Sequence, residues 1–261
     1  MRNEMKMLLD ALSLGGKQDF DLHMHTTFCD GKNTPEEMVV SAIEKGLKTV
    51  GISGHAPTPF DASYCIAVEA LEEYFSQLEG LKEKYADKIK VLSGLEVDYF
   101  SEVPEKYLER ADYIIGSVHY ICKNGEYIAA DNSAEILRDA CARLWDGDVY
   151  AMVEDYYETV ADLARKIDPD IIGHIDLITK FIEIDGIFDT SHPRYINASR
   201  GAVKALLPYD VPFEINYGAI TRGYRTLPYP EKSLLDFIVE NGGRTVKSSD
   251  AHSKENILMA E

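Results

Sequence analysis

Seven short runs of the chain alternate apolar with polar or small residues and are rich in β-branched or aromatic side chains. They are DFDLHMH (19–25), TVGISGH (49–55), KVLSGLEVDY (90–99), ADYIIGSVHY (111–120), PDIIGHIDLI (169–178), VPFEINYG (211–218) and RTVKSSDAH (244–252). A period near two predicts a strand, with successive side chains on opposite faces. Between the runs the spacing changes to that of amphipathic helices, in residues 34–46, 65–87, 133–146, 149–167, 199–207 and 231–243. The first of these has Thr34 placed to cap, Pro35 in the first turn, early glutamates and Gly46 at the exit. Near the N-terminus, Met7, Leu8, Ala11 and Leu12 have the spacing of a short helix packed against the body, so residues 1–18 are expected to form a helical extension.

Strands alternating with helices imply a parallel sheet, open or closed. The polar residues favour closure. His23 and His25, His55, Glu96, His119, His174, Glu214, and Asp250 with His252 all fall at or just past the C-terminal end of a strand. In a closed α/β barrel the C-terminal rim gathers side chains from many strands, whereas an open doubly wound sheet concentrates its site at one switch point. The expected fold class is therefore α/β, a distorted seven-stranded (β/α) TIM-like barrel formed as a single domain over residues 1–261.

Composition narrows the partners. The 261 residues are 45% hydrophobic and 28% charged, ordinary for a globular chain, but the formal net charge is −18. Such a surface repels nucleic acid and anionic membranes, so an anionic ligand needs local positive charge. Cys29, Cys65, Cys122 and Cys141 make no CxxC pattern, which suits reduced thiols, and no segment has the length of a signal or membrane span. A soluble cytoplasmic protein is expected, with no nucleic-acid or membrane partner; the oligomeric state is left open.

Only His192, in DTSHPRY, stands apart from the strand ends among the seven histidines. Each of the others alone could be a satisfied core or surface side chain, but recurrence on five strands is not explained that way. His23 and His25 lie at i and i+2 and face the same side, and Asp250 and His252 repeat that spacing. Glu96 ends an apolar strand, where an unpaired carboxylate is costly and a cation offsets the cost. Together with nearby Asp30, these residues exceed what one zinc-like ion uses, so two or three divalent ions are expected, and mixed N/O ligation suits zinc, manganese or iron.

The stretch HMHTTFCDGKNTPEEMVVSAIEKGLKTVGISGHAP resembles the opening of the PHP (polymerase and histidinol phosphatase) metallophosphoesterases. The likeness continues through GLEVDY, IIGSVHYI, IIGHIDLI, FEINYGAITRGY and SSDAHS, covering roughly residues 19–256. It implies that His23, His25, Glu96 and Asp250 hold one ion. His55 and His252, assisted by Asp30, would hold a second, and His119 and His174 a third bridged by Glu96. Within the family the text is most similar to the histidinol-phosphate phosphatase branch, which implies L-histidinol phosphate as substrate. Two departures stand out: Gly54 replaces the acid that many members carry before the histidine of GHAP, and the nine residues after His252 are fewer than the closing helix of relatives. That ending suggests a shortened closing segment, or a last strand covered by the N-terminal helix.

The implied reaction is in-line attack on a phosphomonoester by a metal-bridging hydroxide, without a covalent intermediate. Asp30 or His252 would relay a proton to the leaving alkoxide. Arg222 and Arg225, in GAITRGYR, are the candidates for the phosphoryl oxygens, because guanidinium forks suit bidentate contact. Glu214 is a candidate for a substrate ammonium or for support of a ligand histidine, and Asp176 for an outer carboxylate. Arg200 is expected on a helix surface. Two alternatives are a family enzyme for another ester (nucleotide, sugar phosphate or phosphotyrosine) and a metal-binding module without catalysis.

Overall fold

A computed structural model of the chain describes residues 8–10 and 17–260. Of the N-terminal stripe, Met7, Ala11 and Leu12 lie outside the described residues; Leu8–Asp10 are helical. The observed strands are β1 (Phe20–Asp21), β2 (Thr49–Ile52), β3 (Lys90–Asp98), β4 (Tyr113–Ser117), β5 (Tyr120–Lys123), β6 (Glu126–Ala129), β7 (Ile171–Ile172), β8 (Phe213–Asn216) and β9 (Thr245–Ser248). All seven expected strands are present, and they hydrogen-bond in the order β1-β2-β3-β4-β7-β8-β9. The pairs β1–β2, β2–β3 and β7–β8 are parallel. Most strands are shorter than the apolar runs that predict them, because the last residues of a run leave the ladder to carry side chains beyond it.

The contacts divide into two compact units. The first comprises residues 1–115, 169–171 and 246–261, and the second residues 116–168 and 172–245. In the first unit, Leu9 packs with Phe20, Leu22, Leu92, Tyr113, Ile115, Ile171 and Val246. The Tyr113 ring also explains two strand glycines. A Cβ at Gly51 would stand 2.2 Å from its hydroxyl, and one at Gly94 2.3 Å from Cζ. The space a side chain would need is filled by the ring.

Beyond β9 the backbone bridges Ala251 to Met24 in parallel, with His25 N–H donating to the Ala251 carbonyl at 2.9 Å. Asp21, fully buried, fixes the same junction. Its carboxylate accepts from Ser249 N–H at 3.1 Å, Leu258 N–H at 3.1 Å and His23 N–H at 3.4 Å. The described residues after His252 are tied down by contacts to the body: the Lys45 ammonium donates to the carbonyls of Glu255 and Ile257, and Ile257 is buried. Helix Pro35–Glu44 starts with the expected Thr34 cap and a reciprocal Glu37 contact, which anchors the loop after β1.

In the second unit, β5 and β6 form a hairpin that the strand pattern does not anticipate. The Asn124-Gly125 turn, both residues at positive φ, is its sequence signal. Helices Ala134–Leu144 and Val149–Ile167 follow expectation. The helix expected over 199–207 begins earlier, at Pro193, with the His192 ring accepting from Arg194 N–H and stacked on Tyr150. His192 is thus a helix cap, a role its loop-like context hides. Among the described residues, no helix is long and apolar enough to cross a membrane.

Candidate metal centre

In the first unit, β1 delivers His23 and His25, β2 His55, β3 Glu96, and the turn after β9 Asp250 and His252. Glu96 is the hub. Its Oε2 lies 2.8 Å from His55 Nδ1, 3.2 Å from His23 Nε2 and 3.5 Å from His25 Nε2, with no exposure to solvent. Asp250 adopts a left-handed φ of 49°, uncommon for a side-chain-bearing residue. That turn aims its Oδ1 at His25 Nε2 (3.1 Å) and His23 Nε2 (3.8 Å).

Asp30 reaches the set from the loop after β1, with Oδ2 3.1 Å from His252 Nε2 and Oδ1 3.7 Å from His55 Nε2. Gly31 allows that approach: a Cβ there would collide at 2.4 Å with the His25 and Thr26 backbone. Burial opposes charge on Asp30, but the His252 hydrogen bond and the imidazoles of His55 and His25 outweigh it and hold the carboxyl well below the usual range. His252 Nδ1 faces the Asp250 carbonyl at 3.0 Å, which leaves Nε2 toward Asp30.

These side chains fit a divalent-metal centre. His25, Asp30, His55 and His252 bring ligand atoms within 4.8 Å of one another, as do His23, His25 and Asp250. The buried Nε2 of His25 makes no hydrogen bond although two carboxylates face it. Clustered, buried imidazoles and carboxylates of this composition suit a divalent cation.

The second unit carries the other two strand-end histidines. The rings of His119 and His174 lie 5.0 Å apart, edge to face. Glu214 Oε2 accepts from the His174 N–H at 2.8 Å and from Asn216 Nδ2 at 2.9 Å, so it fixes the main chain that presents His174. Arg222 caps the short helix Gly218–Thr221, half-buried. Arg225 instead turns inward: Nη1 donates to Thr179 Oγ1 at 2.7 Å, beside Asp176 (3.9 Å) and Glu183 (3.6 Å). Burial raises the Asp176 carboxyl, and the Arg225 charge opposes the rise.

Two residues here escaped sequence reading. The buried Lys180 ammonium donates to the Asp131 carbonyl at 2.7 Å and lies 3.3 Å from its carboxylate. Burial pushes the Asp131 carboxyl up, but Lys180, His119 and Arg222 together bring it below the ordinary range. A lysine closing the buried run IIGHIDLITK was the available signal.

The PHP-domain family model matches residues 21–217, more than half of the chain. The chain belongs to the PHP family. A probable histidinol-phosphatase of Deinococcus radiodurans is 31% identical over 244 residues, which cover 89% of this chain and 85% of the relative. The crystal structure of HisK from Listeria monocytogenes, itself a candidate histidinol phosphatase, superposes with a TM-score of 0.78 at 25% identity, covering 91% of this chain and 97% of that one. Histidinol phosphate phosphatase from Lactococcus lactis, solved with zinc, L-histidinol and phosphate, gives 0.68 at 20% identity, covering 91% and 87%. The likeness to HisK bears out the expected fold class, the seven-stranded α/β barrel of the PHP proteins.

At Gly54 of this PHP chain, a Cβ would meet Ile66 Cδ1 at 2.8 Å and Cys29 Sγ at 3.4 Å. The space is taken by an apolar side chain and a thiol. Acid sensitivity follows from His25. Burial, then the charges of His252 and His55, lower its imidazole from 6.5 to about 3. Between those pH values the unfolded chain binds a proton that the folded one refuses, so stability falls as the pH falls. The metal-free protein is expected to lose about 2 kcal/mol through this residue between pH 7 and pH 5, read as a lower urea midpoint. An unchanged midpoint would show that His25 takes its proton in the folded state.

Proposed function

We propose that the protein is a metal-dependent phosphomonoesterase that hydrolyses L-histidinol phosphate to L-histidinol and phosphate in the cytoplasm, as a step of histidine biosynthesis. The observation that carries the chemistry is the convergence of His23, His25, His55, Asp30, Asp250 and His252 around the buried Glu96. The named relatives support the choice of ester.

His23, His25, Glu96 and Asp250 are assigned to one divalent ion, and His55, His252 and Asp30 to a second. His119 and His174 offer ligands for a third. Zinc is the leading metal, with manganese or iron as alternatives of the same ligand preference. Bound ions of this kind make water acidic enough to attack phosphorus and neutralise phosphoryl charge.

The remaining work falls to the chain. Arg222 holds the phosphoryl oxygens through a guanidinium fork. The proton released by the attacking water passes to the departing alkoxide through Asp30 or His252, whose side chains stand 3.1 Å apart. Glu214 acts by keeping the His174 main chain in place. Arg225 supports the segment carrying Thr179 and Asp176.

The test is phosphate release from L-histidinol phosphate beside a nucleotide, a sugar phosphate and phosphotyrosine. A dominant kcat/KM for histidinol phosphate is expected. Turnover confined to another ester would keep the metal chemistry and overturn the substrate.

A further inference from the structure

A neutral imidazole has one N–H and one lone pair, and a histidine that serves a cation through one nitrogen needs an acceptor at the other. His25 has a definite arrangement at each. Its Nε2 is buried, makes no hydrogen bond, and faces Asp250 Oδ1 at 3.1 Å and Glu96 Oε2 at 3.5 Å. Its Nδ1 lies 3.6 Å from Cys29 Sγ, within reach of an N–H···S hydrogen bond. Asp30 Oδ1, at 3.8 Å, is too far to accept that proton directly.

The sulfur is held in place by the local backbone. Cys29 N–H donates to the Thr26 carbonyl at 2.9 Å, closing a turn that begins one residue after His25. On its other side Sγ stands against Gly54, where a Cβ would approach to 3.4 Å. The thiol is therefore wedged between the strand ends that carry His25 and His55, and it meets His25 at the nitrogen opposite the two carboxylates.

We propose that Cys29 is a positioning residue of the metal centre: its sulfur accepts the Nδ1–H of His25 and fixes the ring as the tautomer whose Nε2 lone pair faces Asp250 and Glu96. Partners of this kind hold a ligand imidazole in orientation and raise its basicity, and their loss typically weakens metal binding about 10–100-fold. The inference rests on His25 serving a metal ion and is independent of which ester is cleaved.

The experiment measures zinc affinity by chelator competition for the parent protein, Cys29→Ala and Cys29→Ser, alongside thermal unfolding of each without metal. The expected result is a loss of about tenfold or more in Cys29→Ala. Cys29→Ser should recover most of it, because its hydroxyl can also accept, while all three metal-free proteins unfold alike. Cys29→Ala binding zinc as tightly as the parent, or Cys29→Ser as weakly as Cys29→Ala, would overturn the role. If Cys29→Ala does not fold, the tautomer decides: ¹⁵N-histidine spectra of the zinc-loaded parent should show His25 protonated at Nδ1, and protonation at Nε2 overturns it. A parent that binds no zinc contradicts the metal reading itself, which is distinct from equal binding by parent and variant.

Discussion

Glu96→Gln is expected to fold and to lose kcat/KM for L-histidinol phosphate by about a thousandfold or more, ~4 kcal/mol of transition-state stabilisation at 1.36 kcal/mol per decade. The reason is its place in the set. One carboxylate oxygen stands within 3.5 Å of three imidazoles, from β1 and β2, at the end of an apolar strand with no contact to solvent. Glutamine keeps the volume but replaces the charge with a neutral amide, whose N–H₂ can satisfy a histidine lone pair but cannot supply the anionic oxygen that a divalent cation needs. Steady-state kinetics with bound metal counted on the same samples checks this. A variant that keeps both its metal and its activity would remove Glu96 from the centre.

The second large effect is expected at Arg222. Lys180 and Arg222 are the two cations whose charges, with His119, hold Asp131 ionised. An arriving phosphate ester competes with that carboxylate for the same positive charge. Arg222 is the more accessible of the two, since Lys180 is buried. Arg222→Ala should lower kcat/KM by about 10²–10³-fold, the range seen when one preorganised charge-stabilising donor is removed. Arg222→Lys should recover only part, because an ammonium cannot reproduce the two parallel hydrogen bonds of the fork. An undiminished kcat/KM in Arg222→Ala would move phosphate recognition elsewhere, Lys180 being the nearest alternative.

The parts of the molecule legible in the sequence are those set by local periodicity. The HMH spacing places two side chains on one face of an extended segment, and the seven apolar runs needed only β geometry to be recognised, whereas the DAH pair converges through the left-handed turn at Asp250. The Thr34 cap was legible because its partner Glu37 lies three residues away. What stayed hidden depends on distant pairs. Arg225 is separated by 46 residues from Thr179, its hydrogen-bond acceptor, and nothing near GAITRGYR shows that it turns inward while Arg222 does not. Lys180 and Asp131 are 49 residues apart. The early start of the helix at Pro193 is obscured because histidine is an unusual cap, and the β5–β6 hairpin because each of its strands is only four residues long.

Phosphate release from L-histidinol phosphate, with bound metal counted before chelation, after it, and after metal is restored, decides whether this set of histidines and carboxylates holds the divalent ions that hydrolyse the ester. The expected result is two or three ions per chain, activity lost with them, and activity regained on reloading. A chain that turns over histidinol phosphate equally well after complete chelation, or one that carries its ions and leaves the ester intact, would contradict it.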